Sequence, residues 1–189
     1  MPRITEIVVL CEDQNHELFA RRLLEKLGER FRRTPRFLKP SSGSGKQFVE
    51  KQFPLEFQAY LKRKQRMQIA LIVLIDCDTS TLEATRKQLR ESLEPDHRQA
   101  FDQTDCLLLL LPKRAVETWI EFAHTELAVD EDFREKRAHA SADAAGCKKL
   151  ASQFYSWSRA NSTLPERIPP SLSRAIEELR RFEAECGNA

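Results

Sequence analysis

The run Ile69-Ala70-Leu71-Ile72-Val73-Leu74-Ile75, closed abruptly by Asp76-Cys77-Asp78, decides the fold. An unbroken apolar stretch of this length, rich in branched side chains, fits a strand covered on both faces. Strands of that kind belong to parallel sheets sandwiched by helices. Toward the N-terminus, Glu6-Ile7-Val8-Val9-Leu10-Cys11 is a second short strand, ended by the polar cluster Glu12-Asp13-Gln14-Asn15, which supplies helix N-cap candidates. A helix from about Asn15 to Leu27 follows, with Leu18, Phe19, Leu23 and Leu27 as its apolar stripe and Gly28 placed to stop it. Arg36-Phe37-Leu38 is a short strand, Pro40 to Gly45 a loop, and Lys46 to Lys64 a helical segment interrupted by Pro54. Toward the C-terminus come a charged helix (Thr81 to Leu93), a buried strand (Asp105 to Leu111, halted by Pro112) and a helix (Lys113 to about Leu127).

Alternating strands and helices predict an α/β domain over residues 1–127, with a parallel sheet of about four strands and right-handed crossovers. The strand signal then disappears. Residues 128–189 read as a helical extension packed on the same domain, with helices at Ala144 to Ser158 and Ser171 to Glu185. Leu172, Ile176, Leu179 and Phe182 form the apolar stripe of the last one.

Composition narrows the class. Of 189 residues, 41% are hydrophobic and 11 are Phe, enough for a real core, while 32% charged residues and a mean hydropathy of -0.54 argue against a membrane protein. The apolar runs Ile69 to Ile75 and Leu107 to Pro112, after Cys106, are both far short of the roughly 20 residues of a spanning helix. No signal-peptide pattern opens the chain, so a cytoplasmic location is expected. Cys11, Cys77, Cys106, Cys147 and Cys186 are an odd, scattered set without a Cys-x-x-Cys pair. They are expected as reduced thiols, three of them buried, which argues against a disulfide scaffold or a cysteine-rich zinc site. The net charge of +2 conceals an asymmetry: residues 1–75 hold 15 Lys+Arg against 8 Asp+Glu (+7), and residues 76–189 hold 16 against 21 (-5).

Four carboxylates stand where α/β proteins place their sites, beyond the carboxyl ends of strands: Glu12, Asp76, Asp78 and, in the helix after the last strand, Glu117. In an extended strand end, Asp76 and Asp78 would point the same way and offer oxygens to a hard cation such as Mg²⁺ or Mn²⁺. The same spacing also suits a helix cap followed by a turn.

A carboxylate closing strand one, then Asp-x-Asp closing a buried strand more than sixty residues later, resembles the TOPRIM domain of topoisomerases, primases and overcoming-lysogenization-defect nucleases. The matching residues are Val8 to Glu12 with Glu17-Leu18-Phe19, and Leu71 to Asp78, within residues 5 to 125. The resemblance implies a Rossmann-like TOPRIM fold, Glu12 as general acid/base and metal group, and Asp76 and Asp78 as metal carboxylates. The family usually has Gly after the first-motif Glu. Here Asp13 stands there, and it would either crowd the site or add a fourth carboxylate. Leu111-Pro112-Lys113-Arg114-Ala115-Val116-Glu117-Thr118-Trp119 resembles a segment of small stand-alone TOPRIM-like bacterial proteins, many encoded beside ATPases in phage-defence loci; Ile168 to Leu172 with Glu177 resembles their ends. That likeness implies a Mg²⁺-dependent nuclease with an ATPase partner, and makes Glu117 a further carboxylate of the metal site or one just behind it. The bland alternative has Trp119 in the core and Glu117 paired with a Lys or Arg.

Cations cluster in Arg21, Arg22, Lys26, Arg30, Arg32, Arg33, Arg36 and Lys39, and again in Lys62-Arg63-Lys64 with Arg66. Such clusters suit either a nucleic-acid backbone or a solvated helical face. Arg21, Arg22, Arg32, Arg33, Lys46, Lys113 and Arg114 are the candidate nucleic-acid contacts. Ser44-Gly45-Lys46 lacks the spacing of a P-loop. Asp76 to Ser80 also resembles the haloacid-dehalogenase phosphatase motif, a minor alternative. A catalytically silent interaction module is the non-enzymatic one. The four His are isolated, mostly expected at the surface, and no zinc-hydrolase pattern is present.

Overall fold

The computed structural model describes residues 4–28, 34–127, 129–131 and 144–186. Strands β1 (Glu6–Cys11), β2 (Arg36–Leu38), β3 (Ile69–Leu74) and β4 (Leu107–Leu110) form one parallel sheet in the order β2-β1-β3-β4. The helices are α1 (Gln14–Leu27), α2 (Gly45–Lys64), α3 (Leu82–Glu91), α4 (Pro95–Asp102), α5 (Val116–Thr125), α6 (Ala144–Ser158) and α7 (Pro170–Glu185). This is the expected α/β, Rossmann-like layout with C-terminal helices. β3 is central and buried at all its positions, as its unbroken apolar run requires.

Two aromatic clusters mark the two helical layers. Phe19 of α1, Trp119 of α5 and Phe154 of α6 meet edge-on or tilted, with ring centroids 5.5–6.2 Å apart. Phe53 and Phe57 of α2 meet Phe101 of α4 in the other cluster, with Tyr60 stacked on Phe57. α6 packs on α1 and α5, and α7 packs on β4, so the C-terminal helices complete one layer of the sandwich. Among the described residues, no helix is long and apolar enough to cross a membrane.

Three expectations need correction. Pro54 does not interrupt α2, which runs through it: proline forfeits one ladder bond, while Phe53 and Phe57, both fully buried, hold the helix on the sheet. A helix absent from the sequence reading, α4, starts at Pro95, whose fixed φ suits the first helical turn. Cys106 and Cys186 are not free thiols. They form a disulfide, with Cα atoms 4.8 Å apart, that ties the start of β4 to the end of α7, whereas Cys11, Cys77 and Cys147 are buried and not disulfide-bonded.

The start of α7 carries a buried carboxylate. Pro169 offers no side-chain cap, and Glu131, only 8% exposed, accepts from the Ser171 N–H at 3.0 Å and from the Ser171 hydroxyl. Trp119 Nε1 donates to that same Ser171 oxygen at 2.8 Å, so Trp119 is core, as the bland alternative held.

Candidate active site at the carboxyl ends of the strands

Register places the first two carboxylates side by side. Cys11 pairs with Leu74, so Glu12 and Asp76 emerge from adjacent parallel strands at the same sheet end. The Glu12 carboxylate accepts from the Asp76 backbone N–H at 2.7 Å. The loop after β3 is held in turn by the loop after β4: Cys77 N–H donates to the Pro112 carbonyl at 2.8 Å, and Lys113 Nζ to the Ser80 carbonyl at 2.9 Å.

The first turn of α1 closes the site from one side. Asp13 is its N-cap, accepting from the N–H groups of Asn15 (2.8 Å) and His16 (2.9 Å). Asp13 thus fixes the helix start through Oδ1, and its charge is felt at Asp76. That turn delivers two side chains across the site. Asn15 Nδ2 donates to Glu117 at 2.6 Å, and His16 Nε2 lies 3.0 Å from Asp76 Oδ1. His16 is completely buried, an exception to the expectation that most histidines lie at the surface. Glu117 is joined to Asn15, not to the Lys or Arg that the bland alternative required.

The N-terminus of α2 closes the other side. A Cβ at Gly45 would sit 2.5 Å from the Glu12 carbonyl oxygen and 2.7 Å from its Cβ, so only glycine permits this approach. Lys46 donates to Asp78 at 2.9 Å and to the Cys77 carbonyl at 3.2 Å. Asp78 does not continue the extended end that the spacing assumed. Its φ of 54° is left-handed, which turns its half-exposed carboxylate onto Lys46 and away from a shared direction with Asp76.

The electrostatics are those of a crowded acidic crevice. Burial first, and then the Asp76 charge, push the Glu12 carboxyl up to about 7, against the pull of the Asp76 N–H. Burial also raises the Asp76 carboxyl, opposed by His16 and reinforced by Glu117 and Asp13. Burial pushes the His16 imidazole down, but Asp76, Asp13 and Glu12 together outweigh it and carry it up to about 9. The His16 ring thus faces three acids at once.

This donor set fits a hard cation. Glu12 and Asp76 are oxygen donors close together at one sheet end, and Mg²⁺ commonly takes one or two carboxylates while keeping its waters. Among the described residues, no three His, Cys, Asp or Glu side chains converge as a closed ligand set, so a water-rich site on two carboxylates is the form that fits.

The remaining sequence candidates are dispersed. Arg21 pairs with Glu17 (2.7 Å) and stacks 4.0 Å above the Phe37 ring, Arg22 pairs with Glu25, and Arg114 donates to the Glu131 carbonyl at 3.3 Å. Arg32 and Arg33 lie outside the described residues. Lys62, Arg63 and Arg66 line an open cleft of about 640 Å³ with Glu6, at the end of α2 opposite Gly45. Glu6, the ion-pair partner of Arg63, stands at the far end of β1 from Glu12, about 20 Å away along an extended strand, so this cluster does not join the crevice. Comparison with family models, curated proteins and solved structures gives no match.

Proposed function

We propose that the chain is a TOPRIM-like, Mg²⁺- or Mn²⁺-dependent nuclease whose site is built on Glu12 and Asp76, with Asp78 and Glu117 flanking them. The observation that carries this reading is the Glu12–Asp76 pair: two carboxylates on adjacent parallel strands, joined by the 2.7 Å bond from the Asp76 N–H, with Glu12 raised to about 7. A carboxyl that ionises near neutrality is matched to proton transfer at working pH. Glu12 takes the proton of the water attacking phosphorus, and the oxygen released as the phosphodiester bond breaks acquires a proton from solvent. A bound divalent ion supplies neutralisation of the phosphate charge, which carboxylates alone would repel. Lys46, at the N-terminus of α2 beside Asp78, is the cation nearest at hand for a phosphate oxygen, and Lys113 is tied to the same loop.

The partner ATPase and a role in anti-phage defence or a mobile element rest on the resemblance of Leu111 to Trp119 and Ile168 to Leu172. A second reading, the catalytically silent module, is favoured by internal compensation: His16 neutralises Asp76, and Lys46 neutralises Asp78, without an added cation. Incubating plasmid, linear DNA and tRNA with Mg²⁺ or Mn²⁺ separates the two. Nuclease action requires cleavage that is lost in Glu12→Gln and Asp76→Asn. If the wild type leaves every substrate intact, with the partner ATPase also present, the silent module stands.

A further inference from the structure

His16 is the buried group that the proposed chemistry leaves without a role. It is fully buried, so it cannot touch a substrate. It is not an ordinary core side chain either. Moving an imidazole out of water is unfavourable unless its nitrogens find partners, and Nδ1 has no hydrogen-bond partner, its nearest acid being Asp13 Oδ1 at 4.0 Å. The ring's hydrogen bonding is therefore carried by the 3.0 Å contact between Nε2 and Asp76 Oδ1.

The backbone beneath the ring is fixed. The His16 N–H is held by the Asp13 cap, the neighbouring Asn15 carbonyl accepts from Cys147 Sγ of α6 at 3.8 Å, and α1 is packed along α6. A ring so placed has one thing to do with its single bond, which is to fix one oxygen of Asp76. We propose that His16 is a positioning residue: by donating from Nε2 to Asp76 Oδ1 it holds that carboxylate in the orientation that receives the divalent cation. This rests on the metal-site reading of Glu12 and Asp76. A partner behind a ligating carboxylate typically changes metal affinity by about 10- to 100-fold when removed.

The test is Mn²⁺ binding to the full chain, read by electron paramagnetic resonance without any substrate, for wild type, His16→Leu and His16→Gln. Leucine fills the space without a donor, whereas the glutamine amide can donate from a similar position. Melting temperatures in chelator separate loss of folding from loss of binding. The expected result is at least about tenfold weaker binding by His16→Leu, with most of the affinity restored in His16→Gln. Equal binding by all three forms overturns the positioning role, and so does a glutamine variant as weak as the leucine one. A wild type that binds no Mn²⁺ sinks the metal reading itself and this inference with it. Independently of any variant, nitrogen NMR of the wild-type ring must show Nε2 protonated both before and after Mg²⁺ is added; an unprotonated Nε2 overturns the proposal.

Discussion

Replacing Glu12 with Gln should change how the stability of the metal-free chain depends on pH, in a direction opposite to most carboxylates. The Glu12 carboxyl titrates near 7 in the folded chain, against 4.5 for an ordinary glutamate. Between those values the folded state holds more protons than the unfolded one, so stability falls as pH rises from about 4.5 to about 7. A gap of that size corresponds to about 3 kcal/mol at full strength. Glu12 keeps partial contact with solvent, and screening reduces the figure to about 1–2 kcal/mol. For a chain of this size, that is a shift in Tm of about 2–8 °C. The assay is thermal unfolding by circular dichroism in chelator, for wild type and Glu12→Gln, at steps from pH 5 to 7.5. The difference between the two Tm curves isolates the Glu12 contribution: the wild type should lose ground to the variant as pH rises, and saturating Mg²⁺ should abolish most of that loss. A difference that stays flat across the window, or runs the other way, refutes the account of the crevice electrostatics.

Three further outcomes follow from particular contacts. Gly45→Ala drives a Cβ to 2.5 Å from the Glu12 carbonyl oxygen, so α2 must shift; denaturant unfolding should register a loss of about 1–3 kcal/mol. Glu131→Ala strips the start of α7 of its acceptor and leaves the buried Ser171 N–H unpaired, which should cost about 1–3 kcal/mol in the same assay. Cys186→Ser opens a crosslink spanning 80 residues, worth about 4 kcal/mol in the chain-entropy description; reductant should lower the Tm of the wild type but leave that variant unmoved.

How much of this was legible in the sequence depends on whether the signal was local. β1 and β2 stand at the predicted residues and β3 ends one residue early, because continuous apolar runs stopped by polar residues encode strands in the chain itself. The gathering of Glu12, Asp76 and Glu117 at one sheet end was legible too, since parallel strands put their carboxyl ends together. What was hidden depends on distant partners. The bond between Cys106 and Cys186 is set by α7 lying along β4, and no spacing rule reports that. Asp78 has the right position but a left-handed backbone, so the Asp-x-Asp geometry expected of an extended end is not kept. His16 left a faint trace. It falls on the buried stripe of α1 with Ala20, Leu23 and Leu27, at the end of the helix that faces the carboxylates. A lone histidine continuing an apolar stripe toward a cluster of acids is the signal the sequence carries.

Cleavage of an end-labelled nucleic acid in Mn²⁺ by equal amounts of wild type, Glu12→Gln and Asp76→Asn, each with a chelator control and with and without the ATPase proposed as partner, bears most directly on the central claim. The account requires metal-dependent scission by the wild type and its loss in both variants. Undiminished scission by either variant, or none by the wild type, contradicts it.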